Sequence, residues 1–443
     1  MPPADGGGGR PGRPSGSFAV IPDPIAALLA GAYRDPETGS LLACDSRAIV
    51  IEDSLAGREV ELVESLKLGP RLALVADVDT YAALGQRVSR ALTSRFGITE
   101  IVLPRRPHAD DVTIEAISER LGEVDAVVAV GSGTINDLSK MVALAHNVPQ
   151  VVFGTAPSMN GYTSVSASIT EAGFKRSVRA RTPVGVFLDL GVLARAPARL
   201  VRAGLGDSVC RPTAQADWLL AHLLLDRPYR EVPFALLAED EPRLFQRAGE
   251  LVTDSGDLGA MRALARTLVL SGVGMTIAGG SFPASQGEHM VSHYLEMMAP
   301  PGIEHAFHGE QIGVAAIASA RVQAGVLARD GVPRLRASTV TRESIVAHFG
   351  DALGDACWRE FSRKQVDADL ANARLATRWP DMRARLAAVA TAGERIESLL
   401  KAAGAPTTAA ELGYGESLWS DAVAHARETR DRYVFFDFAA DSA

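Results

Sequence analysis

The sequence predicts an α/β N-terminal domain built on a parallel, Rossmann-like sheet, followed by an all-helical C-terminal domain. Three observations predict this. A chain of 443 residues exceeds one core of ordinary size. Between residues 21 and 190, short β-branched runs alternate with helical stretches, the pattern of a parallel sheet with helices on both faces. From about 191, Ala, Leu and Arg recur at helical spacing and β-branched runs become scarce.

In order, RLALVADVDTYAALG (71–85) reads as a strand, a turn carrying Asp77 and Asp79, and a helix. ITEIVLP (98–104) reads as the next strand, VDAVVAVGSG (124–133) as a third ending in glycines, VPQVVFGTAPS (148–158) as a fourth and VGVFLDL (184–190) as a later one. Most prolines after 191 fall between helical segments, where they would stop them. Residues 1–20 are Gly/Pro-rich, lack an apolar targeting core and are expected to be a disordered tail, leaving domains of 21–190 and 191–443.

Composition narrows the function. A net charge of −8 argues against a nucleic-acid or membrane-surface role, and no run reaches the length of a membrane span. Cys44, Cys210 and Cys357 are odd in number and form no CxxC pair, so a reducing compartment, the cytoplasm, is expected. Only five of the 45 basic residues are lysine, which draws attention to Lys140 and Lys175. An anionic substrate would need basic groups gathered locally against this overall sign.

VVAVGSGTINDLSK (127–140) places Gly131, Ser132, Gly133 and Thr134 between an apolar strand and a helix start. Glycines admit a pyrophosphate close to the backbone, and the helix N-terminus offers free N–H groups. Gly-Ser-Gly after a strand is also an ordinary tight turn, and the spacing is not GxGxxG. Asp77, at an earlier strand end, suits ribose hydroxyls and would repel a 2′-phosphate, which favours NAD over NADP; a solvated turn is the alternative. GTAPSMNGYTS (154–164) sits at a strand's carboxyl end, with Thr155 and Ser158 as cofactor contacts.

Three segments carry metal-ligand chemistry. Asp207, in GLGDSVC, reads as part of a short turn before a helix. His289 and His293, in GEHMVSHYLE, are i and i+4 on one helical face. His308, in HAFHGEQIGV, stands at a helix start. An Asp and two His leave an open position on a divalent ion, the arrangement of a catalytic Lewis acid. An HxxxH pair is also common on surfaces, but four of nine histidines fall within 289–308.

GSGTIND, TAPSMNGYTS, AGLGD, GEHMVSHYLE, HGEQIGV and the tail 411–438, which is similar to that family's last helix, occur in the order seen in sn-glycerol-1-phosphate dehydrogenases of the bacterial type. The chain resembles that family from about residue 40 to 440, and more widely glycerol dehydrogenase, iron-type alcohol dehydrogenases and dehydroquinate synthase. The resemblance implies a dehydroquinate synthase-like fold with its active site between the domains. It implies Asp207, His289 and His308 as ligands of one zinc or nickel ion, and Gly131, Ser132, Gly133, Asp137, Thr155 and Ser158 along NAD(H) or NADP(H). The implied reaction is reduction of dihydroxyacetone phosphate, in a homodimer. His293 would relay a proton, and Lys175 would hold the substrate phosphate or lie in a solvated loop. Asn160 stands where the family usually has an aspartate that contacts substrate hydroxyls, and Gly154 where it commonly has proline. Asn can donate as well as accept, which opens the exact substrate, a phosphonate analogue included. A cyclase that uses bound NAD without net redox, and a ligand-binding homologue with altered catalysis, are the alternatives.

Overall fold

The computed structural model describes residues 23–171, 173–252, 257–300 and 302–442, so the expected tail 1–20 lies outside the described residues. A short helix, Pro24–Leu29, precedes a two-stranded hairpin, β1 (Tyr33–Arg34) with β2 (Leu41–Leu42). The strands that follow are β3 (Ala48–Glu52), β4 (Arg71–Asp77), β5 (Gly97–Leu103), β6 (Ala126–Gly131), β7 (Gln150–Gly154), β8 (Ser166–Glu171), β9 (Phe174–Arg179) and β10 (Gly185–Asp189). Six of them form one parallel sheet in the order β3-β10-β7-β6-β4-β5. β6, β7 and β10 are buried along their whole length, which is why their sequences are unbroken apolar runs rather than alternating ones.

β5 lies on one side of β4, and β6 with every later sheet strand lies on the other. The carboxyl ends of β4 and β6 therefore flank a topological switch point, where open parallel sheets bind ligands. The Gly131–Gly133 turn leaves the sheet there. β3 was not read from the sequence, because AIVIE is a short edge run without a following helical repeat. β8 and β9 were also missed: they form a separate antiparallel hairpin of largely polar residues that places Lys175 on a strand rather than in a loop.

After β10 the described chain is helical apart from an isolated bridge between Leu335 and Ser442. Six helices matter for the site: α1 (Gly133–Ala145), α2 (Ala198–Val209), α3 (Arg211–Leu225), α4 (Gly259–Ile277), α5 (Gly287–Met298) and α6 (His308–Leu327). Pro380 sits inside the 22-residue helix Ala368–Val389, against the reading of proline as a separator; the long helix tolerates one missing donor. The tail 411–438 is not one helix: Glu416–His425, a single turn at Ala426–Thr429 and Phe435–Asp441 are separate pieces. Among the described residues no helix is long and apolar enough to cross a membrane.

One reading is corrected. Asp207 is not in a turn before a helix; it lies in the last turns of α2. The two glycines that suggested a turn serve contact instead. A methyl group on Gly204 would sit 1.7 Å from the Pro157 carbonyl oxygen, and one on Gly206 would sit 2.0 Å from that of Gly309. Backbone-to-backbone approach of this kind seats α2 directly against the 157–160 loop and the first turn of α6. A bidentate pair, Arg199 Nε and Nη2 to Glu310 at 3.0 and 2.8 Å, fastens the same two helices.

These contacts give the first prediction. Gly206→Ala should destabilise the protein by about 3 kcal/mol, because backbone and not a flexible side chain must move. Gly325→Ala on α6, where the new methyl meets nothing within 4 Å, should be neutral or stabilising. Chemical denaturation of both variants checks this; equal stabilities would refute the packing argument.

Candidate active site

A cavity of about 260 Å³ opens beside the switch point and runs from the start of α1 to α5 and α6. At its sheet end lie Ser132, Gly133, Thr134 and Asp137, with Ser158 and Asn160 from the loop after β7. α1 has no side-chain cap, so its first N–H groups are not claimed by a capping residue. Gly131 and Thr155 are buried immediately behind this end, where Thr155 N–H donates to the Gly131 carbonyl at 3.1 Å. Asp77 is not among the cavity-lining residues; at the end of β4 its carboxylate accepts from Asp79 and Thr80 N–H at 2.9 and 2.8 Å, a helix cap. Asp79 pairs with Arg105.

Two ionisable groups, buried Lys140 and half-buried Asp137, shape this end. Lys140 on α1 donates to the carbonyls of Gly161, Ser164 and Ser166 at 2.6, 2.9 and 3.0 Å, tying the loop after β7 to α1. Burial brings its pKa down to about 8. Asp137 accepts from Ser168 N–H at 2.9 Å, and burial raises its pKa against the pull of Lys140.

At the other end the three distant segments meet. Ligand atoms of Asp207, His289 and His308 lie within 4.8 Å of one another. Asp207 Oδ2 accepts from Asn160 N–H at 2.8 Å, while Oδ1 is buried with no hydrogen-bond partner. His289 Nε2 is 3.7 Å from that oxygen, too far for a hydrogen bond. Leaving a buried carboxylate oxygen unmatched costs several kcal/mol, which a cation shared with the two imidazoles would offset. His289 donates through Nδ1 to Glu288 at 2.9 Å, so Nε2 faces the gap. Burial opposes ionisation of Glu288, but the His289 hydrogen bond and charge outweigh it and hold that carboxyl low. His308 Nδ1 meets Ser292 Oγ at 3.3 Å, and Ser292 is fixed in turn by Gln311. A carboxylate or hydroxyl behind each ligating imidazole is what a metal site requires.

A second cluster, Cys210 with Glu288 and His289, also satisfies proximity. Burial raises the Cys210 thiol well above its ordinary range, and Sγ donates to the Asp207 carbonyl at 3.3 Å. Glu288 is already engaged by His289 Nδ1, whereas Asp207 Oδ1 has no partner, so the Asp/His/His set fits a cation better.

His293 lines the cavity one turn from His289, with Nδ1 buried and unpartnered. Burial, then the charge of Arg430, holds it well below its ordinary pKa, so the ring is neutral. Asn160 also lines the cavity, and its amide Nδ2 is buried without a partner. Lys175 reaches in from β9 but lies 3.2 Å from Glu296.

A family model for iron-containing alcohol dehydrogenases matches residues 50–197. The chain is 28% identical over 393 residues to glycerol-1-phosphate dehydrogenase (NAD(P)+) of Bacillus licheniformis, covering 87% of this chain and 86% of that one. It is 32% identical over 271 residues to the enzyme of the same name from Pyrococcus furiosus, covering 61% of this chain and 77% of that one. The chain belongs to the glycerol-1-phosphate dehydrogenase family. Among solved structures, sulfoacetaldehyde reductase from Bifidobacterium kashiwanohense in complex with NAD+ superposes with a TM-score of 0.58 at 16% identity, over 90% of this chain and 96% of that one. A probable glycerol dehydrogenase from Sinorhizobium meliloti gives 0.56 at 18% identity, over 89% and 91%. These likenesses show that the chain shares the fold of those two enzymes.

Within this family frame the sequence reading overlooked Arg430, Ser281 and Ser285, which line the cavity. Arg430 lies in the tail 411–438, where the local excess of Arg in ARETRDRY was the available signal.

The geometry predicts that His289→Ala loses bound metal and activity together while retaining NADH binding, as measured by elemental analysis and by fluorescence titration. Glu288→Gln should weaken metal binding about 10- to 100-fold. Full metal occupancy in His289→Ala would exclude the assignment.

Proposed function

We propose that this chain reduces a small phosphorylated ketone with hydride from NADH or NADPH, taking dihydroxyacetone phosphate to sn-glycerol 1-phosphate or acting on a close phosphate or phosphonate analogue. The observation that carries this reading is the single cavity that joins an uncapped helix start at a sheet switch point, an Asp/His/His donor set with one unsatisfied oxygen, and basic groups in an acidic protein. The names of the relatives support the substrate class and NAD(P).

Asp207, His289 and His308 would hold one divalent ion, zinc or nickel, both suited to this donor set. When bound, the ion supplies Lewis acidity toward a carbonyl oxygen, and the nicotinamide supplies the hydride. Ser132, Gly133, Thr134, Asp137 and Ser158 would line the cofactor, backed by Gly131 and Thr155, with Asp77 toward the ribose. Glu288 keeps the His289 ring turned toward Asp207. His293, neutral, would not itself supply the proton that the reduced carbonyl oxygen gains; its free Nδ1 would position a substrate hydroxyl or a water through which a solvent proton arrives. Asn160 offers an N–H to a substrate oxygen where an aspartate could only accept. The free cysteines fit a reducing, cytoplasmic setting, and the family likeness supports a homodimer.

A panel of ketones assayed by loss of NADH absorbance tests this. Turnover of dihydroxyacetone phosphate or its phosphonate analogue, with one NADH consumed per product, is expected. Product without net NADH loss would indicate a cyclase. Thermal stabilisation by NADH and metal without turnover of any ketone would indicate a binding protein.

A further inference from the structure

Two guanidinium groups beside the cavity have no carboxylate of their own. Arg430 donates to Ser285 Oγ at 2.8 Å. Arg432 donates to the Ser285 carbonyl and, at 2.9 Å, to Ser281 Oγ, and lies 4.4 Å over the Phe282 ring. Neither forms an ion pair with any described carboxylate. Two neighbouring arginines differ: Arg176 is matched by Glu171 at 2.8 Å and Arg363 by Glu360 at 3.2 Å, while Arg179 on the same rim is exposed to solvent. Asp431 is exposed and makes no ion pair with either group.

The two arginines border a second cavity of about 310 Å³, which shares Ser166, Lys175, Ser281 and Arg430 with the first. Both side chains are half-buried. Burial depresses the pKa of Arg430, and burial with the charge of Arg430 depresses that of Arg432. Asp431 and Glu288 act on both groups only through their charge, without a direct contact, so a bound anion that pairs with the two like charges directly would lower their cost. Lys175 is a weaker candidate for that anion, because Glu296 already neutralises it.

We propose that Arg430 and Arg432 form the anion subsite of the reductase, receiving the doubly charged phosphate or phosphonate head group where the two cavities meet. This rests on the reading of the substrate as a phosphorylated ketone and moves the head group from Lys175 to the arginine pair. Two guanidinium forks suit the oxygens of a phosphate or phosphonate, and their two positive charges match a dianion better than a singly charged carboxylate or sulfonate.

The test uses metal-loaded protein with NADH, dihydroxyacetone phosphate as substrate and inorganic phosphate as probe. Inorganic phosphate should inhibit competitively. In Arg430→Gln and Arg432→Gln its inhibition constant and the KM for substrate should rise about 10- to 100-fold, with kcat falling far less. Arg430→Lys should recover only part of the loss, since an ammonium is a point charge. If Arg432→Gln does not fold, Arg430→Gln, which loses a single hydrogen bond, decides. Constants within twofold of the parent in a folded Arg430→Gln, or the whole loss appearing in Lys175→Met, would overturn the proposal. Failure of the parent protein to turn over any phosphorylated ketone would instead strike the functional reading. Calorimetric titration with inorganic phosphate then still judges the subsite: binding abolished by Arg430→Gln supports it, and no binding to the parent overturns it.

Discussion

Asp207 presents one carboxylate oxygen that no protein group satisfies, and the helical half of the molecule is packed around it. The other oxygen is anchored by Asn160 N–H from the loop after β7, so the same residue joins the sheet to the helices. That anchoring demands the close approach that Gly204 and Gly206 allow. α5 and α6 then bring His289 and His308 to the free oxygen, each ring fixed from behind by Glu288 or Ser292. Remove the cation from this account and a buried carboxylate is left uncompensated, at a cost comparable to a large part of a protein's whole stability. The donor geometry is thus an argument about energy as well as about likeness to relatives.

Charge is distributed to the same end. The chain is acidic overall, yet its cavity collects Lys175, Arg430 and two further imidazole-bearing positions beside His293. The charges are not equivalent. Lys140 is consumed by backbone carbonyls, Lys175 by Glu296, and His293 is kept neutral by burial. Arg430 and Arg432 are held by hydroxyl and carbonyl oxygens and, among the described residues, form no ion pair. Sorting basic groups by what already neutralises them separates structural from ligand-facing ones more sharply than residue type does.

Much of this was legible in sequence. The apolar runs at 71–77, 126–131 and 150–154 became sheet strands because a strand buried on both faces needs no alternation. The i, i+4 spacing of His289 and His293 fixed their common helix face without any tertiary knowledge. Other features were not local. Asp207 was taken for a turn residue because Gly204 and Gly206 serve contacts with residues about 50 and 100 positions away, which no window reveals. The β8–β9 hairpin is polar and partly exposed, so it carries little hydrophobic signal. Arg430 and Arg432 gain meaning only from the absence of a carboxylate, a fact of three-dimensional neighbourhood. Asp77 illustrates the converse: a plausible ribose ligand by position is also a helix cap by hydrogen bonding.

The most direct test of the central claim is X-ray absorption at the edge of the metal bound to the purified protein. The account predicts light nitrogen and oxygen donors only, with the multiple scattering of two imidazole rings. A sulfur shell near ~2.3 Å would contradict it, because it would place the ion with Cys210, Glu288 and His289 and leave the Asp207 oxygen unexplained.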